Sequence, residues 1–117
     1  PSEILLKTLK WLKKDGLLFV EVPSSDWLVS KMANAFYKLR AMNYVINLSP
    51  MHEPFHLYEF STKTFELHSL ANGYEIVDYR YYVGDTYLPK FLDKILKRYM
   101  KKTGKGMEIA VWLRKRN

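Results

Sequence analysis

The residues best suited to chemistry lie in one short stretch, His52-Glu53-Pro54-Phe55-His56-Leu57-Tyr58-Glu59-Phe60. Its two imidazoles, His52 and His56, are candidates for a general base, because an imidazole titrating near neutrality can take a proton from a hydroxyl or amine. Metal binding needs three or more ligands with supporting partners, and two loop histidines without a clear third ligand do not meet that requirement. The stretch therefore favours proton transfer over a metal site. An equally good interpretation is that either histidine only fastens the loop to backbone carbonyls.

A second group of polar residues follows an apolar run. Leu17 to Val20 is continuously apolar, which predicts a strand covered on both faces, as in the parallel sheet of an α/β protein. Pro23 ends that strand, and Ser24 and Asp26 come directly after it, where α/β sheets place ligand contacts. Capping of the next helix is the more frequent role of these residue types, and we favour it.

Composition narrows the classes of protein to consider. A chain of 117 residues is one small domain or a piece of a larger one, and we treat residues 1–117 as a single domain. Without cysteine it has neither a disulfide framework nor a thiolate metal site, which fits a reducing cytoplasm. No apolar run approaches the roughly 20 residues of a membrane-spanning helix. The net charge of +7 permits a nucleic acid, an anionic membrane or an acidic substrate as partner.

The elements that must position these residues follow from periodicity and turn signals. Asp15-Gly16 predicts a turn in which the glycine takes a positive φ, and Ser2 and Ser61 are predicted helix caps. Strands are predicted near residues 17–22, 74–83 and 107–113, and helices near 2–14, 28–40, 62–72 and 88–102, with a solvated tail at 114–116. The order is helix, strand, helix, loop, helix, strand, helix, strand.

Two predicted helices carry further information. Helix 62–72 has two possible inward stripes: an apolar one through Leu67 and Leu70, and a more polar one through Phe65 and His68. On a helix, His68 is best interpreted as a half-buried residue with satisfied hydrogen bonds. Helix 88–102 is the most amphipathic, and its lysine-rich face is most simply a solvated surface, although it could also bind an acidic surface or a membrane.

Four stretches together resemble the C-terminal half of a class I S-adenosylmethionine-dependent methyltransferase of the small-molecule group. Residues 9–23, LKWLKKDGLLFVEVP, are similar to the family pattern "L-K-P-G-G-x-L-x-x-x-V-P", which leads into its fifth strand. Residues 52–61, HEPFHLYEFS, are similar to its "H-x-x-H-L-Y-x-F-S" loop. Residues 63–77 resemble its "K-T-L…A-G-F-E-V" helix and sixth strand, and residues 107–114 its seventh, antiparallel strand.

The resemblance implies a fold and an activity. It implies a three-layer α/β fold, the C-terminal half of a Rossmann-like sheet, flanked by helices. This half has three strands: two are parallel, and the last is inserted antiparallel between them. It also implies transfer of a methyl group to a small-molecule acceptor, with the 52–61 loop lining the acceptor pocket. His52 and His56 are then the catalytic candidates, and Tyr58, Phe60, Ser24 and Asp26 the substrate-binding candidates. Asp15 departs from the family pattern because a glycine is usual there, and residues 87–102 are an insertion.

The largest departure from the family is the missing glycine-rich loop that follows its first strand and holds the cofactor. The chain has one G-x-G, Gly104-Lys105-Gly106, and it precedes a strand. We therefore expect no S-adenosylmethionine site in this chain alone, and we expect the missing N-terminal half of the same protein as its partner. The first strand would expose an edge open to self-association. The alternative is a free-standing basic α/β module that binds nucleic acid or an anionic membrane, which are the less favoured partners.

Overall fold

The computed structural model describes residues 1–43, 58–86 and 88–116. Its elements follow one another in the predicted order: α1 (Ser2–Trp11), β1 (Leu18–Pro23), α2 (Leu28–Leu39), α3 (Thr62–Asn72), β2 (Tyr74–Tyr82), α4 (Lys90–Thr103) and β3 (Glu108–Lys115). Within these ranges, none of the helices has the length and apolar character needed to cross a membrane.

The three strands form one sheet in the order β1-β3-β2. β3 runs antiparallel to both neighbours, so β1 and β2 are parallel to each other, with Val111 opposite Val20 on one side and Tyr79 on the other. The predicted arrangement, with the last strand inserted antiparallel between two parallel ones, is confirmed. As the central strand, β3 is the most buried, and its Ile109, Val111 and Leu113 are fully inaccessible.

One face of the sheet carries the core. Leu9 of α1 and Phe65 of α3 pack on Tyr74 of β2 and on the inward side chains of β3. Among the described residues, this cluster includes none from α2 or α4. The prediction that β1 is covered on both faces is therefore wrong: burial alternates along it, and Phe19 on the opposite face is 46% exposed against the ring of Trp112.

Helix α3 turns its more polar stripe inward. Phe65 and Ser69 are buried, whereas Leu67 and Leu70 are 59% and 69% exposed. The predicted ends of α3 are confirmed, because Ser61 forms a reciprocal capping box with Thr64, and Gly73 ends the helix with a φ of 66°.

Several other predicted ends are wrong, each for a local reason. α1 stops at Trp11, and its N-cap is Pro1, while the Ser2 hydroxyl bonds the His68 ring instead. Trp27, not Ser24 or Asp26, is the N-cap of α2. In the 15–16 turn, Asp15 takes the positive φ of 63° rather than the glycine, as short polar side chains sometimes do.

Of the predicted solvated tail at 114–116, Arg116 is exposed, but Arg114 and Lys115 are half-buried. Arg114 lies in β3 and pairs with Glu75 of β2 across the strands. Lys115 extends its Nζ to the carbonyl oxygens of Lys10 and Leu12, at distances of 3.0 and 2.8 Å. These oxygens belong to the C-terminal end of α1, where the helix leaves carbonyls without intrahelical partners, so the lysine fastens that end to the sheet.

Candidate functional site

Ser24 and Asp26 form a tight turn at the carboxyl end of β1. The buried Ser24 donates its N–H to the Met107 carbonyl at 2.9 Å, and its Oγ accepts the Asp26 N–H at 3.1 Å. Asp26 pairs with Lys31 at 2.9 Å and remains partly open to solvent. The structure thus gives both residues roles in shaping the turn, and only the Asp26 carboxylate is placed to reach a ligand from solvent.

The segment after the 52–57 stretch attaches to the outer side of the same strand end. The Phe60 N–H donates to the Pro23 carbonyl, and the Phe60 carbonyl accepts from the Ser25 N–H, both at 2.9 Å. This is a parallel bridge, and the Phe60 ring packs in the core against Phe65. Tyr58 is 60% exposed at the surface beside it. Tyr58, Phe60, Ser24 and Asp26 therefore gather around one end of β1, whereas His52 and His56 lie outside the described residues.

An apolar cleft of about 610 Å³ separates α1, β1 and α3. A hydrogen-bonded chain closes one side of it: the Tyr74 hydroxyl donates to the Phe65 carbonyl and contacts His68 Nδ1 at 3.0 Å, and His68 Nε2 contacts the Ser2 hydroxyl. Burial raises the pKa of Tyr74 to about 12. Because the phenolic O–H donates to the Phe65 carbonyl, His68 Nδ1 is the donor in its contact with the Tyr74 oxygen. His68 is the satisfied, half-buried residue that the sequence predicts.

A second, polar cleft of about 990 Å³ opens at the carboxyl ends of β1 and β2. It runs between the end of β2 and the turn that follows α4, and Asp26 and Thr62 complete its wall. This position matters because open α/β sheets bind ligands outside the carboxyl ends of their parallel strands. The residues lining it from β2 and the α4 turn are Tyr79, Arg80, Tyr81, Tyr82, Val83, Lys101, Lys102, Thr103, Gly104 and Lys105.

A bulge in β2 brings its tyrosines to this cleft. The register shifts between Ile76 and Asp78, so Tyr74 and Ile76 before the bulge face the same side as Tyr79 and Tyr81 after it. Tyr81 packs against the core, whereas Tyr79 is 51% exposed. The change of register is visible in the sequence, since apolar residues stand at positions 74 and 76 and then at 77, 79, 81 and 83.

The charges around the cleft are mostly positive. Lys101, Lys102 and Lys105 line it. Arg80 lines it as well, but its guanidinium pairs with Asp78 and lies over the Trp112 ring. The one carboxylate in the wall, Asp26, already has Lys31 as its partner. Lys105 Nζ lies 5.5 Å from the centroid of the Tyr99 ring. Cations next to exposed tyrosine rings can hold an anionic group beside a planar or sugar ring. Sequence reasoning missed these residues, although the basic run at 101–105 and the tyrosine-rich strand were visible.

Two further observations bear on ligands. The indole N–H of Trp27, beside Asp26, is buried without an acceptor in the described part of the chain. Across residues 1–43, 58–86 and 88–116, no three His, Asp or Glu side chains converge as metal ligands.

A scan against protein-family models found no match, and a search of curated proteins found no similar sequence.

Proposed function

We propose that this chain is the C-terminal part of an S-adenosylmethionine-dependent methyltransferase and supplies the acceptor side of the reaction. The observation that carries the proposal is the strand order β1-β3-β2 with β3 antiparallel between two parallel strands. That order is what the resemblance requires of a fifth, seventh and sixth strand. The absence of cysteine favours the cytoplasm as its compartment.

The residues present do not fit the cofactor. The chain's one G-x-G lies in the turn between α4 and β3, where Gly104 ends the helix with a φ of 64°. A Cβ on Gly106 would lie only 2.4 Å from the Tyr82 carbonyl oxygen, so this glycine serves the packing of the chain on itself. S-Adenosylmethionine would therefore be held by the missing N-terminal half, and this chain alone would be inactive.

The acceptor would bind at the carboxyl ends of β1 and β2. The polar cleft there has the size of a small-molecule site, and its cations favour an acceptor with a negative charge. His52 or His56 would take a proton from the acceptor's hydroxyl or amine. The side chains of Tyr58 and Phe60 line the apolar cleft, while the backbone of Phe60 bonds their segment to the end of β1 beside the proposed site.

The test begins with the coding DNA upstream of Pro1. An in-frame continuation through roughly a hundred codons, with a strand, a G-x-G-rich loop and a later acidic strand end, is expected. The longer protein should bind S-adenosylmethionine in calorimetric titration, and the chain of residues 1–117 should not. A start codon directly before Pro1, or cofactor binding by this chain alone, would contradict the proposal.

The catalytic assignment needs its own variants. In the longer protein, His52→Ala and His56→Ala should each be assayed for methyl transfer, and loss of the base should lower kcat by about a hundredfold or more at one of the two positions. His68→Gln is the matched control, because that imidazole serves the core contacts of α3 and should leave kcat unchanged. Normal turnover in both alanine variants would remove the histidines from the mechanism.

The alternative, a free-standing basic module, makes different predictions. It predicts a stable monomer whose binding to nucleic acid weakens steeply with salt, because each phosphate contact releases counterions. The methyltransferase proposal predicts weak salt effects. Titration of a labelled single-stranded RNA at about 50 and 200 mM salt distinguishes the basic module from the methyltransferase. Absence of RNA binding at the lower salt would reject a nucleic-acid-binding function.

A further inference from the structure

Helix α4 presents three different strips along its surface. The first faces the protein: Met100 is completely buried, and Asp93, Leu96 and Lys97 are half-buried. The second is apolar and faces outward. The third is cationic and also faces outward. A solvated amphipathic helix would hide its apolar strip against the core, so the outward apolar strip of α4 needs an explanation.

Polar contacts fix which strip faces inward. The Asp93 carboxylate accepts the Thr86 N–H at 3.1 Å and the Thr86 hydroxyl at 2.7 Å, and it pairs with Lys97 at 2.9 Å. Lys97 also contacts Asp85. The hydrogen bonds from Lys97 and Thr86 hold the pKa of Asp93 below its usual value. Because these bonds and Met100 all lie on the same side, α4 cannot rotate its apolar strip toward the core without losing them.

The outward apolar strip is long and continuous. Its members within α4 recur at the spacing of one helix face from 91 to 99, which spans roughly 12 Å at 1.5 Å per residue, and Leu88 precedes the helix. The two most exposed, Phe91 and Ile95, are 66% and 64% accessible. The apolar strip consists of Leu88, Phe91, Leu92, Ile95 and Tyr99.

Cations border this strip on the side away from the core. Viewed down the helix axis at 100° per residue, Arg98 and Lys102 lie on either side of Phe91. The other cations follow on the side of Arg98. Within the described residues, no ion pair involves any of them. The cationic strip consists of Lys90, Lys94, Arg98, Lys101 and Lys102.

We propose that α4 lies flat on an anionic lipid bilayer, with the apolar strip in the boundary between headgroups and acyl chains and the cationic strip at the lipid phosphates. Basic amphipathic helices with aromatic residues on the apolar side bind membranes in this way. Each lysine or arginine near an anionic surface adds to the attraction, and the long side chains can extend to the headgroups while their stems cover apolar surface. The proposal does not rest on methyl transfer, although Lys101 and Lys102 also line the polar cleft.

Charge favours a membrane over a second copy of the chain or a nucleic acid on this face. A second copy of the same helix would bring five cations against five, which is repulsive. Nucleic acid would satisfy the cations and leave Phe91 and Ile95 in water. An anionic bilayer satisfies both strips at once.

The test is co-sedimentation of the chain with vesicles of phosphatidylcholine alone or with about 30% phosphatidylserine. Binding is expected only to the vesicles that contain phosphatidylserine, and it should weaken at high salt. Phe91→Ser with Ile95→Ser should weaken it at least about tenfold through loss of apolar burial. Lys94→Gln with Arg98→Gln should weaken it about 30-fold.

The matched control is Leu67→Ser with Leu70→Ser, which removes two equally exposed apolar side chains from α3. This variant should bind vesicles as the wild type does, and circular dichroism should show all variants folded. Absence of vesicle binding by the wild type, or equal losses in the α3 and α4 serine variants, would overturn the proposal. So would self-association that the α4 serine substitutions abolish, without vesicle binding, because a second copy would then occupy the face.

Discussion

Tyr74 shows how one buried hydroxyl can govern behaviour at high pH. Its side chain is completely inaccessible, and burial raises its pKa to about 12, against an ordinary value near 10. The hydroxyl is nevertheless hydrogen-bonded to the Phe65 carbonyl and His68, so burial leaves no polar atom of this side chain unsatisfied.

We expect this phenol to make the protein lose stability between pH 10 and 12. The unfolded state loses the phenolic proton first, so it binds fewer protons than the folded state, and the free energy of unfolding falls as pH rises. At pH 12 the free energy of unfolding should be lower by about 2 kcal/mol, because the phenol pKa is higher in the folded than in the unfolded state by about two units. Urea unfolding from pH 9 to 12 measures it, with Tyr74→Phe as the control, because that variant lacks the group. Parallel pH profiles for the two proteins would show that Tyr74 is not the cause.

Two glycines are required for different physical reasons, one for its conformation and one for the space around it. Gly73 has a φ of 66°, and a Cβ added to it would meet no atom within 4 Å. A Cβ on Gly106, in contrast, would meet the Tyr82 carbonyl oxygen at 2.4 Å. The first position therefore needs glycine for its backbone conformation, and the second needs it because the chain passes too close to itself for a side chain.

Alanine should consequently cost more at position 106 than at position 73. Gly73→Ala forces a left-handed conformation on an alanine and should lower the free energy of unfolding by about 1 kcal/mol. Gly106→Ala must also displace the Tyr82 backbone, whose carbonyl accepts the Met107 N–H at 2.8 Å, and should cost about 3 kcal/mol. Chemical denaturation of both variants checks the order, and equal costs would contradict it.

At the scale of elements, α3 is the best-anchored helix, although its inward stripe is only partly apolar. Its N-terminus has a reciprocal capping box between Ser61 and Thr64, and its C-terminus has a left-handed glycine. Local signals of this kind depend on a few neighbouring residues, and for that reason both ends of α3 could be predicted from the sequence. Its rotation could not, because the more polar stripe faces the core, and that choice depends on Tyr74 and Ser2 as hydrogen-bond partners of His68.

Removal of the cap should destabilise the protein by a measurable amount. Ser61→Ala leaves the Thr64 N–H without its side-chain acceptor and should lower the free energy of unfolding by about 1 kcal/mol. Thermal unfolding followed by circular dichroism at 222 nm measures the effect. The control is Ser25→Ala, a serine in a turn rather than at a helix cap, and a loss there as large as at position 61 would argue against the capping explanation.

At the scale of the whole molecule, the sheet has an open edge. The N–H and C=O groups of even-numbered residues in β1 point toward β3, as the Ser24–Met107 bond shows, so those of Phe19 and Glu21 point outward. Phe60 covers this outer edge only near Pro23 and Ser25. Among the described residues, no backbone group pairs with Phe19 or Glu21 on that side. An open edge of this kind is a template for pairing with another strand, so self-association through it stays a prediction.

A proline on this edge should prevent the association. Glu21→Pro removes an N–H that points outward and should leave the β1–β3 ladder intact, so the variant should remain monomeric where the wild type associates. Sedimentation velocity from about 1 to 100 µM measures the difference. Val20→Pro is the matched comparison, because it removes an N–H that points toward β3 and should unfold the protein. A monomeric wild type at the highest concentration would show that the edge does not drive association.

The sequence alone determined the order of the elements, both ends of α3 and the insertion of the last strand between two parallel ones. Turn residues, caps and apolar runs are local properties, and the strand order followed from a resemblance carried by four stretches. The tertiary structure decided which faces are covered. Burial of β1 on one side, the bulge that turns Tyr79 to the polar cleft, and the outward apolar strip of α4 all depend on which elements pack together. Packing joins residues far apart in the chain, so periodicity within one segment cannot reveal which of its faces meets the core.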